Sequence, residues 1–521
     1  MRIHNSSHSF LINKSLLTHF VGLSIVILSS IGCQSRKGSL PESQSELTGE
    51  QMVQKYCSGC HLPVSPKLAD KDSWDNHILP AMAPKLGIPV LRGNQYYQVA
   101  KPQNQSAISF EDWLKLVAYF KSIAPEKLDS AKPSVALEKA WSLFSLRKPD
   151  SLKNASLTTF VSINSYTHHI YTSNEEDNNL SVWDTQLKKN YSVLLSSPVT
   201  QSMHFNKDQS AFVCIGSMLA VDVPNGSMVH THFDQQKKLV PETLLSGLLR
   251  PVQADSGDFN KDGRLDWVVC SFGHNTGSLD LFTHNVDHTF TKTAIREVAG
   301  ATQTVIKDFD QDGWLDIMAL FASGDEGVWL FSNNQKGGFN SKNLLRFPPI
   351  YGSTSFQLVD FNKDGKLDIL YTCGDNSDYS RILKPYHGVY IYLNQGNFQY
   401  KQTYFYPVNG CTKAIATDFD QDGDLDIASI AFFGDLVNKP EETFIYFEQT
   451  QSLQFSSYAI PVHQYGRWIC MDVGDVDADG DADIVLGNYS RGFINQKETK
   501  QYWSKNLPFI VLENTKQRRK D

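Results

Sequence analysis

Short apolar runs punctuated by polar turns occupy most of the chain, and they recur. Trp267-Val-Val, Ile317-Met-Ala-Leu, Ile369-Leu-Tyr, Ile427-Ala-Ser-Ile and Ile484-Val-Leu each follow an acid-rich turn. Runs this short, rich in β-branched and aromatic residues, predict strands. Aromatic runs come next, such as Val389-Tyr-Ile-Tyr-Leu393 and Phe444-Ile-Tyr-Phe447, then a fourth strand of the type Phe398-Gln-Tyr-Lys401. The acidic turns begin at residues 258, 308, 360, 418 and 475, a spacing of 50, 52, 58 and 57 residues. Four antiparallel strands per repeat of that length predict a propeller blade. Two earlier units lack the acids. His204-Phe-Asn206-Lys-Asp208-Gln209 is expected to keep the shape of the turn, with Gln for Gly and Phe212 at its ninth position, and Phe160 to Trp183 carries strands alone. The count is seven blades. The last lacks an outer strand, which residues 141–147 are expected to supply, closing the ring.

The amino-terminal quarter patterns differently. Thr48-x-x-Gln51 reads as a capping box, and a second helix starts at Ser109-x-x-Asp112 with Trp113, Leu116, Val117 and Phe120 on one face. Ahead of both, Arg2 and Lys14 precede an apolar stretch, Phe20 to Ile31, that is too short to span a bilayer and ends in small residues, as export signals do. Ser29-Ser30-Ile31-Gly32-Cys33 resembles a bacterial lipobox with Ser30 where Leu is preferred, and it makes Cys33 the expected lipidated residue. The alternative is an ordinary signal cut near Gly32. Either way the mature chain is expected outside the cytoplasm, in the cell envelope, periplasmic or surface-exposed; lipid on Cys33 would be its one expected membrane anchor. The expected division is 1–33 signal peptide with lipobox, 34–47 flexible tether, 48–125 helical domain, 126–137 linker, 138–515 propeller and 516–521 basic tail.

Charge changes the picture only once it is located. Asp258, Asn260, Asp262 and Asp266 stand at positions 1, 3, 5 and 9 of the first acidic turn; Asp308, Asp310, Asp312 and Asp316 fill the second. Asp360, Asn362, Asp364 and Asp368 follow, then Asp418, Asp420, Asp422 and Asp426, and last Asp475, Asp477, Asp479 and Asp483. Gly occupies position 6 in all five, and position 7 (Arg264, Trp314, Lys366, Asp424, Asp481) offers a backbone carbonyl. This hard-oxygen set predicts about five Ca²⁺ sites, and Mg²⁺ suits it less because it resists dehydration. An EF-hand would need an acid at position 12, where Val269, Ala319, Tyr371, Ser429 and Leu486 stand. Eighteen carboxylates occupy positions 1, 3, 5 and 9; without them the formal charge of −8 would be +10, and five Ca²⁺ would bring it near +2. The acidity therefore implies no basic partner, and the scattered basic residues imply no nucleic acid.

Tyr56-Cys57-Ser58-Gly59-Cys60-His61 carries Cys-x-x-Cys-His. Two thiols three apart on a helix can each add to a haem vinyl group, with the adjacent His61 reaching the iron. Export suits that reading over a redox dithiol. One haem c is expected, held through Cys57 and Cys60, with His61 as axial ligand. For the sixth position Met82, in Ile78-Leu79-Pro80-Ala81-Met82-Ala83-Pro84, is preferred over His77 and over ordinary core packing. A His/Met pair leaves no open position and points to electron transfer. The fold class is thus mostly β, a seven-bladed propeller with calcium-binding loops, preceded by a small all-α cytochrome c domain.

Ala416-Thr-Asp-Phe-Asp-Gln-Asp-Gly-Asp-Leu-Asp-Ile-Ala and Gly466-Arg-Trp-Ile-Cys-Met-Asp-Val-Gly-Asp-Val-Asp resemble FG-GAP (VCBS) repeats of bacterial proteins that join such a propeller to a c-type haem segment. The resemblance implies an integrin-like propeller with calcium on one face, and says hardly anything about activity. Three functions remain open. The first is electron transfer with the propeller as docking module, its donor an unidentified protein or small molecule. The second is an oxidoreductase whose propeller binds substrate or a quinone and reduces the haem; the third is an adhesion or glycan-binding propeller. A substrate site is expected opposite the acidic loops, where insertions 272–277, 374–388, 434–442 and 487–506 offer His274, Asp375, Arg381, His387, Asp435, Arg467 and Arg491. No catalytic residue is named. Of the remaining cysteines, Cys214, Cys270, Cys373, Cys411 and Cys470, the pair Cys373–Cys411 is the candidate disulfide.

Overall fold

The computed structural model describes residues 47–516, apart from 99–105, 134, 237, 378, 495 and 497. The expected signal, the lipobox with Cys33, all of the tether but Leu47, and the basic tail after Lys516 lie outside the described residues. Among the described residues no helix is long and apolar enough to cross a membrane.

Seven antiparallel sheets form the propeller. The strands of each blade are called a to d; in blade three they are Pro251–Gly257, Asp266–Ser271, Ser278–His284 and Phe290–Arg296. Strands a of successive blades touch one another and line the axis. Strand b is buried on both faces, and its period of two divides the side chains between neighbours. In blade four, Ile317, Ala319 and Phe321 pack into blade three, while Met318 and Leu320 pack into blade five. Each such aliphatic burial is worth roughly 1.5–3 kcal/mol. Repeated around the ring, these inter-blade layers are the core.

The ring closes as expected from the sequence. Phe144–Arg147 forms strand d of blade seven, antiparallel to Phe509–Asn514, with Phe144 opposite Asn514 and Arg147 opposite Val511. One strand was not anticipated: Leu137–Glu138 adds in parallel to Gln454–Ala459, making a fifth strand of blade six. A second difference lies in blade two. Its a–b turn does not keep the shape of the acidic loops, because strand b already starts at Ser210 and only residues 205–209 connect it to His204. The Asn206 carboxamide closes this short turn by accepting the N–H groups of Asp208 and Gln209, each at 2.9 Å.

The helical part has two main helices, α1 (Gly49–Cys57) and α2 (Phe110–Ile123), with short helical turns from Pro66 to Leu86 between them. Thr48 and Gln51 form the reciprocal cap of α1, and Ser109 caps α2. Gly49 is required by packing: a Cβ there would lie 2.1 Å from the Tyr119 ring. Met52, Val53, Trp74, Trp113, Leu116 and Phe120 form the core. This unit rests on the propeller face opposite the acidic loops, where Ile350 and Ile382 pack against it. Tyr386 donates its hydroxyl to the Leu68 carbonyl at 2.8 Å, and Lys85 donates to Asn275 at 2.9 Å.

Candidate metal loops and the Cys-x-x-Cys-His segment

All five acidic turns are a–b connections, so antiparallel geometry places them at one end of the propeller. Two backbone features let nine residues wrap around a point. Gly263, Gly313, Gly365, Gly423 and Gly480 have φ between +81° and +96°, and the residues two before them (Lys261, Gln311, Lys363, Gln421, Ala478) are also left-handed. Position 6 carries a sequence signal in its Gly; position 4 carries none.

The acids divide into two roles. Position 1 wraps the turn: Asp308 accepts the N–H groups of Asp312 at 3.1 Å and Gly313 at 2.8 Å. Position 9 is a staple, buried at the root of strand b. Asp316 accepts Phe309 N–H at 3.0 Å and Asn333 N–H at 2.8 Å; Asp368 does the same with Phe361 and Asn394, and Asp483 with Val476 and Asn514. Asp266 and Asp426 bind the equivalent N–H pairs, and Tyr446 adds its hydroxyl to Asp426. Burial pushes the Asp426 and Asp483 carboxyls up to about 7. At position 5, Asp312 and Asp364 lie below the usual carboxylate range, Asp312 through the N–H of Trp314 and Asp364 through the Lys366 ammonium.

A carboxylate oxygen that accepts one N–H keeps a lone pair for a cation. In three loops the side-chain oxygens already converge: those of Asp308, Asp310 and Asp316, of Asp418, Asp420 and Asp422, and of Asp475, Asp477 and Asp483 lie within 4.8 Å of one another. The other two have Asn260 and Asn362 at position 3, where the amide oxygen takes the carboxylate's place and accepts the N–H of Asp262 and Asp364. The donor sets fit a hard cation with oxygen ligands. Cationic side chains sit beside several loops: Arg264 on Asp262 and Lys366 on Asp364, both from position 7, and Lys516 on Asp420 from outside the motif.

Cys57 closes α1, and Cys60 and His61 follow in the turn after it. The two thiols are unbridged, as are all the described cysteines. The Cys373–Cys411 disulfide is therefore not formed: both thiols are buried, and Cys373 Sγ instead contacts the Tyr386 carbonyl at 3.3 Å. Burial, with Cys60 beside it, pushes the Cys57 thiol up to about 11. His61 Nδ1 lies 2.9 Å from the Leu62 carbonyl. Donation there fixes the proton on Nδ1 and leaves Nε2 as a ligand atom. Met82 ends a short helix, half-buried, and packs on the same core as Cys57. His77 is exposed, with Nε2 4.0 Å from Asp72.

Two buried groups of this unit have no hydrogen-bond partner among the described residues, Tyr96 Oη and Trp113 Nε1, on rings 5.3 Å apart in edge-to-face contact. Such orphaned donors are costly unless something accepts from them. A prosthetic group bearing carboxylates beside the thiols fits that need. Sequence reasoning missed both atoms, because nothing local marks a Tyr or Trp as a donor rather than as core.

Of the seven residues noted on the opposite face, Arg381 and Arg467 come together on one cavity, with Leu436 beside Asp435 also in its lining. Arg491 pairs instead with Glu176, His387 is wholly buried, and Asp375 caps the local turn at Ser377. His274 is exposed, its N–H held by Asp222 at 2.9 Å.

The family comparison settles the repeats. The FG-GAP-like repeat matches residues 258–319 and 308–371. The propeller contains FG-GAP-like repeats. The matched segments run from the acidic loop of one blade through that of the next, so the repeat is out of phase with the blade by one strand. No curated protein matches the chain. Among solved structures, virginiamycin B lyase from Staphylococcus aureus is similar at 10% identity and TM-score 0.43, covering 71% of this chain and 98% of that one. An ancestral GH74 enzyme is similar at 10% identity and TM-score 0.43 over 75% of this chain and 52% of that one. BBS1N, in complex with ARL6DN, gives 10% identity and TM-score 0.42 over 72% and 98%.

Proposed function

We propose that this chain is an exported, envelope-anchored electron-transfer protein in which a propeller of FG-GAP-like repeats, stabilised by calcium, carries a small c-type cytochrome unit. The observation that supports it is the arrangement of Cys57, Cys60 and His61 at the end of α1, with Tyr96 Oη and Trp113 Nε1, on the core that Cys57 joins, buried without a partner among the described residues. A haem bound there would accept and release one electron at its iron. The chain's part is to hold it: Cys57 and Cys60 by thioether bonds, His61 through Nε2 with its proton kept on Nδ1, and Met82 from a second segment. Tyr96 and Trp113 would donate hydrogen bonds to carboxylates. The five loops would hold Ca²⁺ through side-chain oxygens at positions 1, 3, 5 and 9. Lipid on Cys33 would tether the unit to a membrane.

The test is a potentiometric titration of the exported, full-length protein followed by its visible spectrum. One reversible one-electron transition is expected, with the reduced form inert to added carbon monoxide, since His61 and Met82 would both hold the haem. No redox-responsive band would end the reading. A second reading, in which the propeller admits a small molecule that reduces the haem, is favoured by the cavity beside the helical unit.

A further inference from the structure

The insertions of blades five, six and seven meet on the face opposite the acidic loops and enclose a cavity of about 260 Å³. Phe432, Phe433 and Phe493 give it aromatic walls, and Ile382, which also packs on the helical core, stands at its edge.

Arg467 is the unusual wall residue. It is 2% exposed, and its guanidinium lies 4.2 Å from the centre of the Phe432 ring and 5.3 Å from that of Trp503. Nη1 donates to the Gly492 carbonyl at 2.7 Å and Nη2 to the Phe493 carbonyl at 3.3 Å, while Nε has no partner. Among the described residues no carboxylate pairs with it. Burial lowers its pKa to about 10, as expected of a cation held out of water. An unpaired buried charge is strongly unfavourable by itself, and an apolar residue of similar volume would fill the space at lower cost. A second arginine, Arg381, is exposed at the same cavity and makes no hydrogen bond or ion pair with any described residue. Two guanidiniums with no carboxylate partner among the described residues, set in an aromatic cavity, are complementary to one planar anion attached to an apolar body.

We propose that this cavity binds a small carboxylate with an aromatic or aliphatic body, its carboxylate between Arg467 and Arg381 and its body against Phe432, Phe433 and Phe493. Phosphate is disfavoured, since the apolar walls would leave most of its oxygens unsatisfied. The site does not depend on the haem, so its test can fail or succeed independently of the cytochrome reading.

The experiment is isothermal titration calorimetry of the full-length, calcium-loaded protein with benzoate, hexanoate, benzyl alcohol and inorganic phosphate. Benzoate or hexanoate is expected to bind, with benzyl alcohol and phosphate at least about tenfold weaker. Arg381→Gln, at an exposed position, is expected to weaken the carboxylate about tenfold with the melting temperature unchanged. Arg467→Met is expected to abolish binding; a melting temperature held or raised would match relief of a buried unpaired charge. Absence of carboxylate binding, equal binding of benzyl alcohol, tighter binding of phosphate, or an unchanged affinity in Arg381→Gln would each overturn the proposal.

Discussion

Gln357 pairs with the peptide of Ala416 in the next blade as one amide pairs with another: its Nε2 donates to the carbonyl at 3.1 Å and its Oε1 accepts the N–H at 2.7 Å. Gln253 makes the same pair of bonds to Thr304, and Gln303 and Gln201 accept the N–H groups of Phe356 and Ala254. Four inner strands are thus stapled to their neighbours by glutamine. Gln357→Leu would keep the volume and strand two backbone groups of a residue 5% exposed. A loss of about 2–3 kcal/mol in urea unfolding is expected, with the circular dichroism spectrum unchanged. A change below about 0.5 kcal/mol would show that water replaces the staple.

The acidic loops separate ligand from staple. Asp364→Ala removes a position-5 oxygen and is expected to lose one of about five calcium ions per chain, with the melting temperature in chelator unchanged from the parent. Asp368→Ala also strands the N–H groups of Phe361 and Asn394, so it is expected to cost about 2 kcal/mol even in chelator. Calcium titrations paired with melts in chelator distinguish the two. Equal behaviour would mean that position 9 serves only the metal.

His204 links blades one and two. Nδ1 lies 2.7 Å from Ser210 Oγ, Nε2 lies 3.1 Å from Ser162 Oγ, and burial lowers the imidazole to about 4. The unfolded chain takes up this proton near pH 6.5 and the folded chain does not until about pH 4. Stability is therefore lost as pH falls through that window, by up to about 3 kcal/mol. The difference in unfolding free energy between His204→Gln and the parent should shift in the variant's favour by that order between pH 7 and pH 4. A pH-independent difference would contradict the assignment.

Much of this architecture was readable because the five Asp-x-Asp/Asn-x-Asp-Gly turns set a phase for the whole chain, and the last repeat visibly ran out of strands before Lys516. That shortage is what pointed to Phe144–Arg147. Leu137–Glu138 was not readable, since two residues hold no periodicity. The blade-two turn misled for a related reason. His204, Asn206 and Asp208 keep the spacing of positions 1, 3 and 5, but Ser210 enters the strand before a ninth position is reached. The glutamine staples left a faint trace only: Gln253 and Gln303 each stand five residues before their acidic turn, whereas Gln357 stands three before. The seating of the helical unit joins Tyr386 to Leu68, 318 residues apart, and no local pattern encodes that.

The ring-closing strand offers its own test. Arg147 donates to Glu513 at 2.7 Å and to the Thr185 carbonyl of blade one at 2.7 Å, so it fastens the two ends of the propeller. A chain starting at residue 148 is expected to melt well below one starting at residue 136, in calcium and in chelator alike. Identical melting of the two would mean that blade seven needs no outer strand.

The account rests most heavily on the thiols of Cys57 and Cys60. The direct measurement is the intact mass and alkaline pyridine spectrum of the full-length protein matured in a host that exports and attaches haem. One covalently bound haem per chain, lost in the Cys57→Ala/Cys60→Ala variant, is the predicted result. A chain with free thiols and no haem, or a haem that persists in that variant, would contradict it.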